Sequence, residues 1–341
     1  MSRKIKVCLY LEFYHFWGGI FFKKIGTGLL YSYKNQKKIL NELNIQFSEK
    51  WDNSCDILQI NTPWLNSIRL IKKARRKNKK VIIWAHVTVE DTQQVFRFAP
   101  YVSGLVKKYL TYAYGMADIV VCPSEYTKSL LKAYGLPEEK LVVQSNGVDL
   151  KKFQKDAKKR EIARRKRKLE GIVVGSVGLV IPRKGVDDFI FLARKFSKNY
   201  FVWYGKIYSS LLVKPLPKEL PSNVAFTGYV EDSDMTGSFN ALDIFIFPSF
   251  EENQGMVLLE AAAVGLPLLI RDIPVYRGWL EHNENCLKAK NLEDFKKYLD
   301  RLIHDEGLRK RLGENALQMA QEHNLERIKE EALNVYISLM K

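Results

Sequence analysis

The chain has 341 residues, with 55 Lys and Arg against 38 Asp and Glu and a formal net charge of +17. That length is more than one hydrophobic core ordinarily serves and predicts two domains. With 46% hydrophobic and 12% aromatic residues, the composition excludes a disordered chain. No apolar run approaches the roughly 20 residues that a membrane-spanning helix needs.

The N-terminus does not read as a signal peptide, because the apolar stretch 7–11 is too short for an h-region. Cys8, Cys55, Cys122 and Cys286 share no short spacing. No Cys/His cluster suggests zinc, so the expectation is a reducing, cytosolic compartment with no disulfide frame, metal or cofactor. Cys8 and Cys122 fall inside apolar runs and read as buried thiols. The excess of cations, concentrated at 69–80 and 155–168, implies an anionic partner such as nucleic acid or a membrane, or simply high solubility.

Taken in chain order, residues 5–11 form the first expected strand. An aromatic loop with Gly18-Gly19 follows, where missing side chains would let a phosphate or sugar approach the backbone, though such a pair is equally an ordinary turn. A helix over 30–43, a strand at 55–60, a helix over 67–77 and a strand at 81–85 come next. The last of these runs into Trp84-Ala85-His86. Strands at 118–122 and 141–144 complete the first half.

Strands at 172–177, 200–204, 224–228, 243–247 and 267–270 build the second half, with a helix over 188–196. Several of these runs are continuously apolar, as parallel strands buried on both faces are. The hydrophilic stretch 150–170 is the expected boundary. Beyond residue 300 the pattern is helical, and Ile328, Ala332, Val335 and Leu339 recur at helical spacing. The expected division is 1–155, 156–318, and a helical tail 319–341 packing back on the first domain. Alternation of strand and helix predicts two doubly wound, Rossmann-like α/β domains facing across a cleft that holds the ligand.

The segment with chemical content is 243–274. A buried strand ends at Pro248, a polar loop carries Glu251, Glu252, Asn253 and Gln254, and a helix runs from about Met256 until Gly265 stops it. The helix N-terminus suits a phosphate. Glu260, one turn inside, can reach hydroxyls, as can Glu252 ahead of it. From the residues alone, the pair is equally a solvated loop residue and a helix-face residue. The same strand and Pro-Ser turn occur at Asp118–Glu125 and at Asp243–Glu251.

The pattern Pro248-Ser249-x-x-Glu252-x-x-Gly255-x-x-x-Leu259-Glu260-Ala261 resembles the signature of family 4 retaining glycosyltransferases of GT-B fold. Val177-Gly178 followed by Arg183-Lys184-Gly185-Val186-Asp187, and Ser145-Asn146-Gly147-Val148-Asp149, match in order. The resemblance implies that Glu260 binds the donor ribose and Glu252 contacts the transferred sugar. It places Gly178 and the backbone of Asn253, Gln254, Gly255 and Met256 around sugar and diphosphate, with Gly18 and Gly19 also on the donor side. Arg183 and Lys184 would clamp the diphosphate and stabilise the departing charge, the task a metal performs elsewhere. His86 would lie near sugar and acceptor. Many members carry Arg where this chain has Leu179, which throws the clamp onto Arg183 and Lys184.

Trp84-Ala85-His86-Val87-Thr88-Val89-Glu90-Asp91, Phe201-Val202-Trp203-Tyr204-Gly205 and Arg271-Asp272-Ile273-Pro274-Val275-Tyr276 resemble bacterial diacylglycerol glucosyltransferases in particular. That implies UDP-glucose as donor, a membrane lipid as acceptor, and a peripheral position on the inner face of the cell membrane. Residues 1–150 carry 23 Lys and Arg against 12 Asp and Glu. Residues 64–80 mix Trp64, Leu65, Ile68, Leu70 and Ile71 with cations, which suits either an anionic membrane or a solvated helix on its own core. GDP-mannose with a polysaccharide or polyprenol-linked glycan would use the same frame. A nucleic-acid partner is not expected, for stacking aromatics and recognition motifs are missing. No Gly-x-Gly-x-x-Gly follows a strand to suggest a dinucleotide.

Overall fold

The computed structural model describes residues 5–12, 28–93, 99–207 and 215–341; Gly18 and Gly19 lie outside them. The chain forms two units, one of Met1–Lys23, Leu29–Gly147 and Leu325–Lys341, the other of Lys24–Gly28 and Val148–Asn324.

The first unit holds β1 (Lys6–Tyr10), α1 (Gly28–Glu42), β2 (Gln46–Ser48), β3 (Ile57–Ile60), α2 (Leu65–Arg76), β4 (Lys80–Trp84), α3 (Ala99–Gly115), β5 (Ile119–Cys122), α4 (Glu125–Ala133) and β6 (Leu141–Val143). Its strands are all parallel, in the order β2-β1-β3-β4-β5-β6. Alternation along each strand divides the apolar residues between two faces. Val7, Leu9, Ile57 and Trp84 pack with α1, while Cys8, Leu58, Val81 and Ile83 pack with α2, α3 and α4.

The second unit holds α5 (Ala157–Arg167), β7 (Val173–Val177), α6 (Val186–Lys195), β8 (Tyr200–Tyr204), β9 (Val224–Phe226), α7 (Asp232–Asn240), β10 (Ile244–Phe247), α8 (Met256–Ala263), β11 (Leu268–Arg271), β12 (Leu287–Ala289), α9 (Leu292–His304) and α10 (Glu306–Glu322). Its parallel sheet runs β12-β11-β10-β7-β8-β9. The strand order reverses at β7 and β10, and ligands of open α/β sheets bind beyond the strand ends at that point. Both sheets bear out the doubly wound α/β expectation. The last helix, α11 (Leu325–Met340), belongs to the first unit. It buries Leu325, Ile328, Ala332, Val335, Tyr336 and Leu339 beside β1 and α1, at roughly 1.5–3 kcal/mol for each large apolar side chain.

Three features depart from the sequence reading. Strands β2 and β12 were not expected, because Gln46-Phe47-Ser48 and Leu287-Lys288-Ala289 lack the continuous apolar run that marks the equally short β6 and β9. The basic stretch taken as a boundary is the helix α5, N-capped by Asp156, which accepts from Lys159 N at 3.0 Å. The chain joins the second unit before it: the Lys152 carbonyl accepts from Thr236 Oγ1 at 3.1 Å, and Asp156 N donates to Asn240 Oδ1 at 2.8 Å. In α2, Ile68 and Ile71 are core residues, so of the apolar set offered to a membrane only Leu65, 74% exposed, lies fully outside.

Part of the positive charge is consumed internally. Arg160 and Arg164 bind the Asp243 carboxylate at 2.6 and 2.5 Å. Asp243 also clips two strands together: its N–H donates to the Val173 carbonyl at 2.9 Å and its carboxylate accepts from Val173 N at 2.8 Å. Asp118 makes the same reciprocal pair with Val81, at 2.9 and 2.7 Å. Asp118 is exposed and Asp243 half-buried, so the second clip leaves more behind when cut. Asp243→Ala should lower the unfolding free energy by about 3 kcal/mol, because two guanidinium groups and an amide lose their partner. Asp118→Ala should cost about 1 kcal/mol, both being read from urea denaturation midpoints.

Candidate functional site

Because β7 and β10 are neighbours, the loops that leave their C-terminal ends meet. The β7 loop passes Gly178 and turns through Pro182–Lys184 into α6; the β10 loop carries Pro248 to Gly255 into α8. Phe250 N donates to the Arg183 carbonyl at 2.8 Å, tying one loop to the other. Gly185 is required at the crossing: its φ is +74°, and a Cβ there would lie 2.3 Å from the Pro248 carbonyl oxygen. Arg271, from the end of β11, braces the same turn. Its Nε donates to the Pro248 carbonyl at 3.0 Å, its guanidinium lies 3.9 Å from the Phe250 ring centre, and it pairs with Asp188.

Glu252 sits at the focus of this arrangement. Lys184 Nζ binds its Oε1, Arg183 lies 3.7 Å from the same oxygen, and the Ser249 hydroxyl donates to it at 2.6 Å. The side chains of Glu252, Lys184 and Arg183 are only 9, 13 and 11% exposed, so solvent screens this cluster little. Arg183 also donates to the Glu251 carbonyl, and Lys184 lies over the Phe247 ring. Burial penalises the Glu252 charge, but the Lys184 and Arg183 cations and the two hydrogen bonds outweigh that penalty. Its carboxyl therefore titrates below the ordinary range. The two expected clamp residues thus face the carboxylate expected to touch sugar, and Gly178 lies beside the Lys184 side chain.

Asn253 is half-buried and Gln254 buried in the next turn, and Met256 is the buried first residue of α8. Gly255 caps α8 in the left-handed region at φ +87° with no side-chain cap, leaving its first amides to other acceptors. The Tyr276 hydroxyl approaches to 3.4 Å of where a Gly255 Cβ would be. Glu260, one turn in, is buried, and among the described residues no donor hydrogen-bonds its carboxylate. Burial pushes it up to about 8; Lys152 lowers it in part and Asp232 raises it. Glu252 and Glu260 therefore share a loop and helix but hold opposite protonation tendencies.

His86 lies in the other unit, beyond β4. It stacks on Trp84 with ring centres 5.4 Å apart, its Nε2 is 3.3 Å from Ser32 Oγ, and burial lowers it to about 3, so it is neutral. The sequence reading overlooked Ser32, which sits inside an ordinary polar helix, as well as Asp188 and Ser249 as partners. Only Ser249 carried a signal, in the Pro-Ser turn. The repeat of that turn diverges in use: Ser124 caps α4 by accepting from Thr127 N at 3.1 Å, whereas Ser249 holds Glu252.

Removing one member of the cluster tests its electrostatics. Lys184→Met should cost about 3 kcal/mol at pH 7, because it leaves a buried carboxylate short of its main counter-charge. A carboxyl whose folded pKa is depressed stabilises the fold above its unfolded value near 4.5, and loses that contribution as pH falls through the folded one. The difference between wild type and variant in urea melts should accordingly shrink below pH 4.5.

The family description for glycosyl transferases group 1 matches residues 146–319, and that for glycosyltransferase family 4 matches residues 21–152. The processive diacylglycerol alpha-glucosyltransferase of Acholeplasma laidlawii is 32% identical over 325 residues, covering 94% of this chain and 95% of its own. The alpha-galactosylglucosyldiacylglycerol synthase of Streptococcus pneumoniae is 26% identical, over 92% and 86%. Among solved structures, Anabaena Alr3699/HepE in complex with UDP-glucose superposes with a TM-score of 0.78 at 15% identity, over 98% and 100% of the two chains. WaaG, a glycosyltransferase involved in lipopolysaccharide biosynthesis, gives 0.69 at 16% identity, over 97% and 99%. With two parallel doubly wound units, a Glu-x7-Glu segment at the switch point of the second, and relatives aligned along nearly its whole length, the chain belongs to the family 4 (group 1) glycosyltransferases of GT-B fold and stands close to bacterial diacylglycerol glucosyltransferases.

Proposed function

We propose that the protein moves glucose from UDP-glucose onto a membrane lipid such as diacylglycerol, retaining the anomeric configuration and using no metal. The observation that carries this reading is the nearly dry cluster of Lys184, Arg183 and Glu252 at the switch-point edge of the second sheet. The name of the Acholeplasma laidlawii relative supports the sugar, and the names of both relatives support the lipid.

In this mechanism Glu260 accepts hydrogen bonds from the ribose hydroxyls, and the α8 N-terminus with the backbone at Asn253–Met256 holds diphosphate and sugar. Lys184 and Arg183 are preorganised cations for the charge that grows on phosphate as the glycosidic bond breaks. Glu252 positions the sugar through its hydroxyls and keeps the cations in place; it is not a nucleophile. The acceptor oxygen bonds to the anomeric carbon on the face that phosphate leaves, and its proton passes to a departing phosphate oxygen. His86, neutral, contacts sugar or acceptor. Gly178 gives the diphosphate room beside Lys184, and Gly18 and Gly19 are assigned to the donor side.

Lipid access would come through a peripheral contact of the basic first unit with the anionic inner face of the cell membrane. Arg69, Lys72, Lys73, Arg75, Arg76 and Lys77 are exposed on and just after α2, and such cations contribute roughly 1 kcal/mol each near an anionic leaflet. No helix among the described residues is long and apolar enough to cross a membrane.

The test is consumption of UDP-glucose, UDP-galactose and GDP-mannose with diacylglycerol in mixed micelles, with and without anionic lipid and EDTA. UDP-glucose should be consumed in EDTA to give an α-glucosyl lipid, faster with anionic lipid. If no nucleotide sugar is consumed and none raises the melting temperature, the reading fails. A second expectation comes from Glu260, whose folded-state value of about 8 means it binds its proton at pH 6.5. A diol is held best by the ionised carboxylate, so UDP-glucose affinity should rise roughly tenfold between pH 6.5 and 8.5. Glu260→Gln should flatten that dependence in calorimetric titrations.

A further inference from the structure

The segment that follows β4 is held from two directions. On the strand side, Trp84 is buried in the sheet, Ala85 N donates to the Val121 carbonyl at 2.8 Å, and the His86 ring stacks on Trp84 at an interplanar angle of 16°. On the far side, Val89 opens a short helix, Val89–Gln93, in which Thr88 Oγ1 accepts from Asp91 N at 3.2 Å.

Two tyrosines from separate helices bind the stretch between. The Tyr114 hydroxyl, on α3, donates to the Val87 carbonyl at 2.7 Å. The Tyr134 hydroxyl, at the C-terminal end of α4, accepts from Val89 N at 2.9 Å and donates to the Glu90 carboxylate. One hydroxyl thus uses both its donor and its acceptor capacity on adjacent residues, which fixes the turn between them. Burial, and then the hydrogen bond to Glu90, push the Tyr134 phenol above its ordinary value, so it keeps the proton it donates. Tyr114 is 0% and Tyr134 9% exposed, and water therefore competes little for these bonds. Tyr134 is itself anchored to α3: its carbonyl accepts from Thr111 Oγ1 at 3.4 Å, and Lys107 Nζ lies 5.4 Å from its ring centre. The transfer mechanism assigns no task to Tyr114, Tyr134 or Glu90.

We propose that Tyr114, Tyr134 and Glu90 are positioning residues that latch the segment after β4 and hold His86 in place for transfer. The part in transfer rests on the reading of His86 as a sugar- or acceptor-contacting residue; the latch itself does not.

Two measurements on the full chain test the latch and its task separately. In hydrogen–deuterium exchange, residues 85–91 should exchange about tenfold faster in Tyr114→Phe and in Tyr134→Phe than in wild type. With UDP-glucose and diacylglycerol in mixed micelles, Tyr134→Phe and Glu90→Leu should each lower kcat about tenfold and leave KM for UDP-glucose within about twofold. Glu90→Gln, which keeps an oxygen for the phenol proton, should recover most of what Glu90→Leu loses. In a His86→Ala background, Tyr134→Phe should have no further effect on kcat, because no imidazole remains to be misplaced. Asp118→Ala, which loosens the same sheet at the opposite end of β4, should lower the melting temperature and keep the wild-type kcat. Wild-type exchange in both tyrosine variants overturns the proposal. So does a kcat loss that persists in the His86→Ala background, a Glu90→Gln no better than Glu90→Leu, or an equal loss in Asp118→Ala, which would mean general loosening. If wild type transfers no sugar, the proposed function falls, while the exchange measurement still decides the latch.

Discussion

A carboxylate in a nearly dry loop needs counter-charge, and a lysine or arginine in an equally dry loop needs an anion. Glu252, Lys184 and Arg183 meet both needs at once, which explains why they come from two different loops. Each loop alone would bury a charge at a cost of several kcal/mol; together they stabilise the crossing that the reversal of strand order creates. Backbone follows charge here. Phe250 is hydrogen-bonded to Arg183, Gly185 lies against Pro248, and Arg271 ties the turn to Asp188 and the Phe250 ring.

The same cluster separates the two carboxylates by environment. Glu252 is surrounded by cations and stays ionised, while Glu260, a turn inside α8 with its counter-charges farther away, holds its proton to about 8. Groups of one type that are pushed apart in this way take different tasks. An ionised Glu252 orders the Lys184 and Arg183 cations around it.

Net charge turned out to have several destinations. Arg160 and Arg164 serve Asp243, Lys152 pairs with Asp232, and Lys184 and Arg183 belong to the site. The row on and after α2 stays exposed. A count of lysines and arginines therefore overstates the charge available to a partner, because burial of their counter-ions is invisible in composition.

The strands, the two-unit plan and the Glu252–Glu260 segment were legible in the sequence, since long apolar runs, the Gly265 stop and the Glu-x7-Glu spacing are local signals. The short strands β2 and β12 were not, nor was the helical character of 157–167, where cations outnumber apolar residues. That run is held by Asp156 at its cap and by Asp243, far along the chain. His86 was visible as a residue following a strand; its partner Ser32 lies 54 residues away, and Asn146, which Ser32 binds, lies 114 residues from Ser32, and no pattern joins them. By itself the sequence determined the fold class and the family, because periodicity and motif spacing are properties of neighbours in the chain. Only the tertiary structure decided which cation faces which carboxylate and which side chains pack around His86. Those depend on side chains brought together from distant segments, and on burial that makes each pairing obligatory.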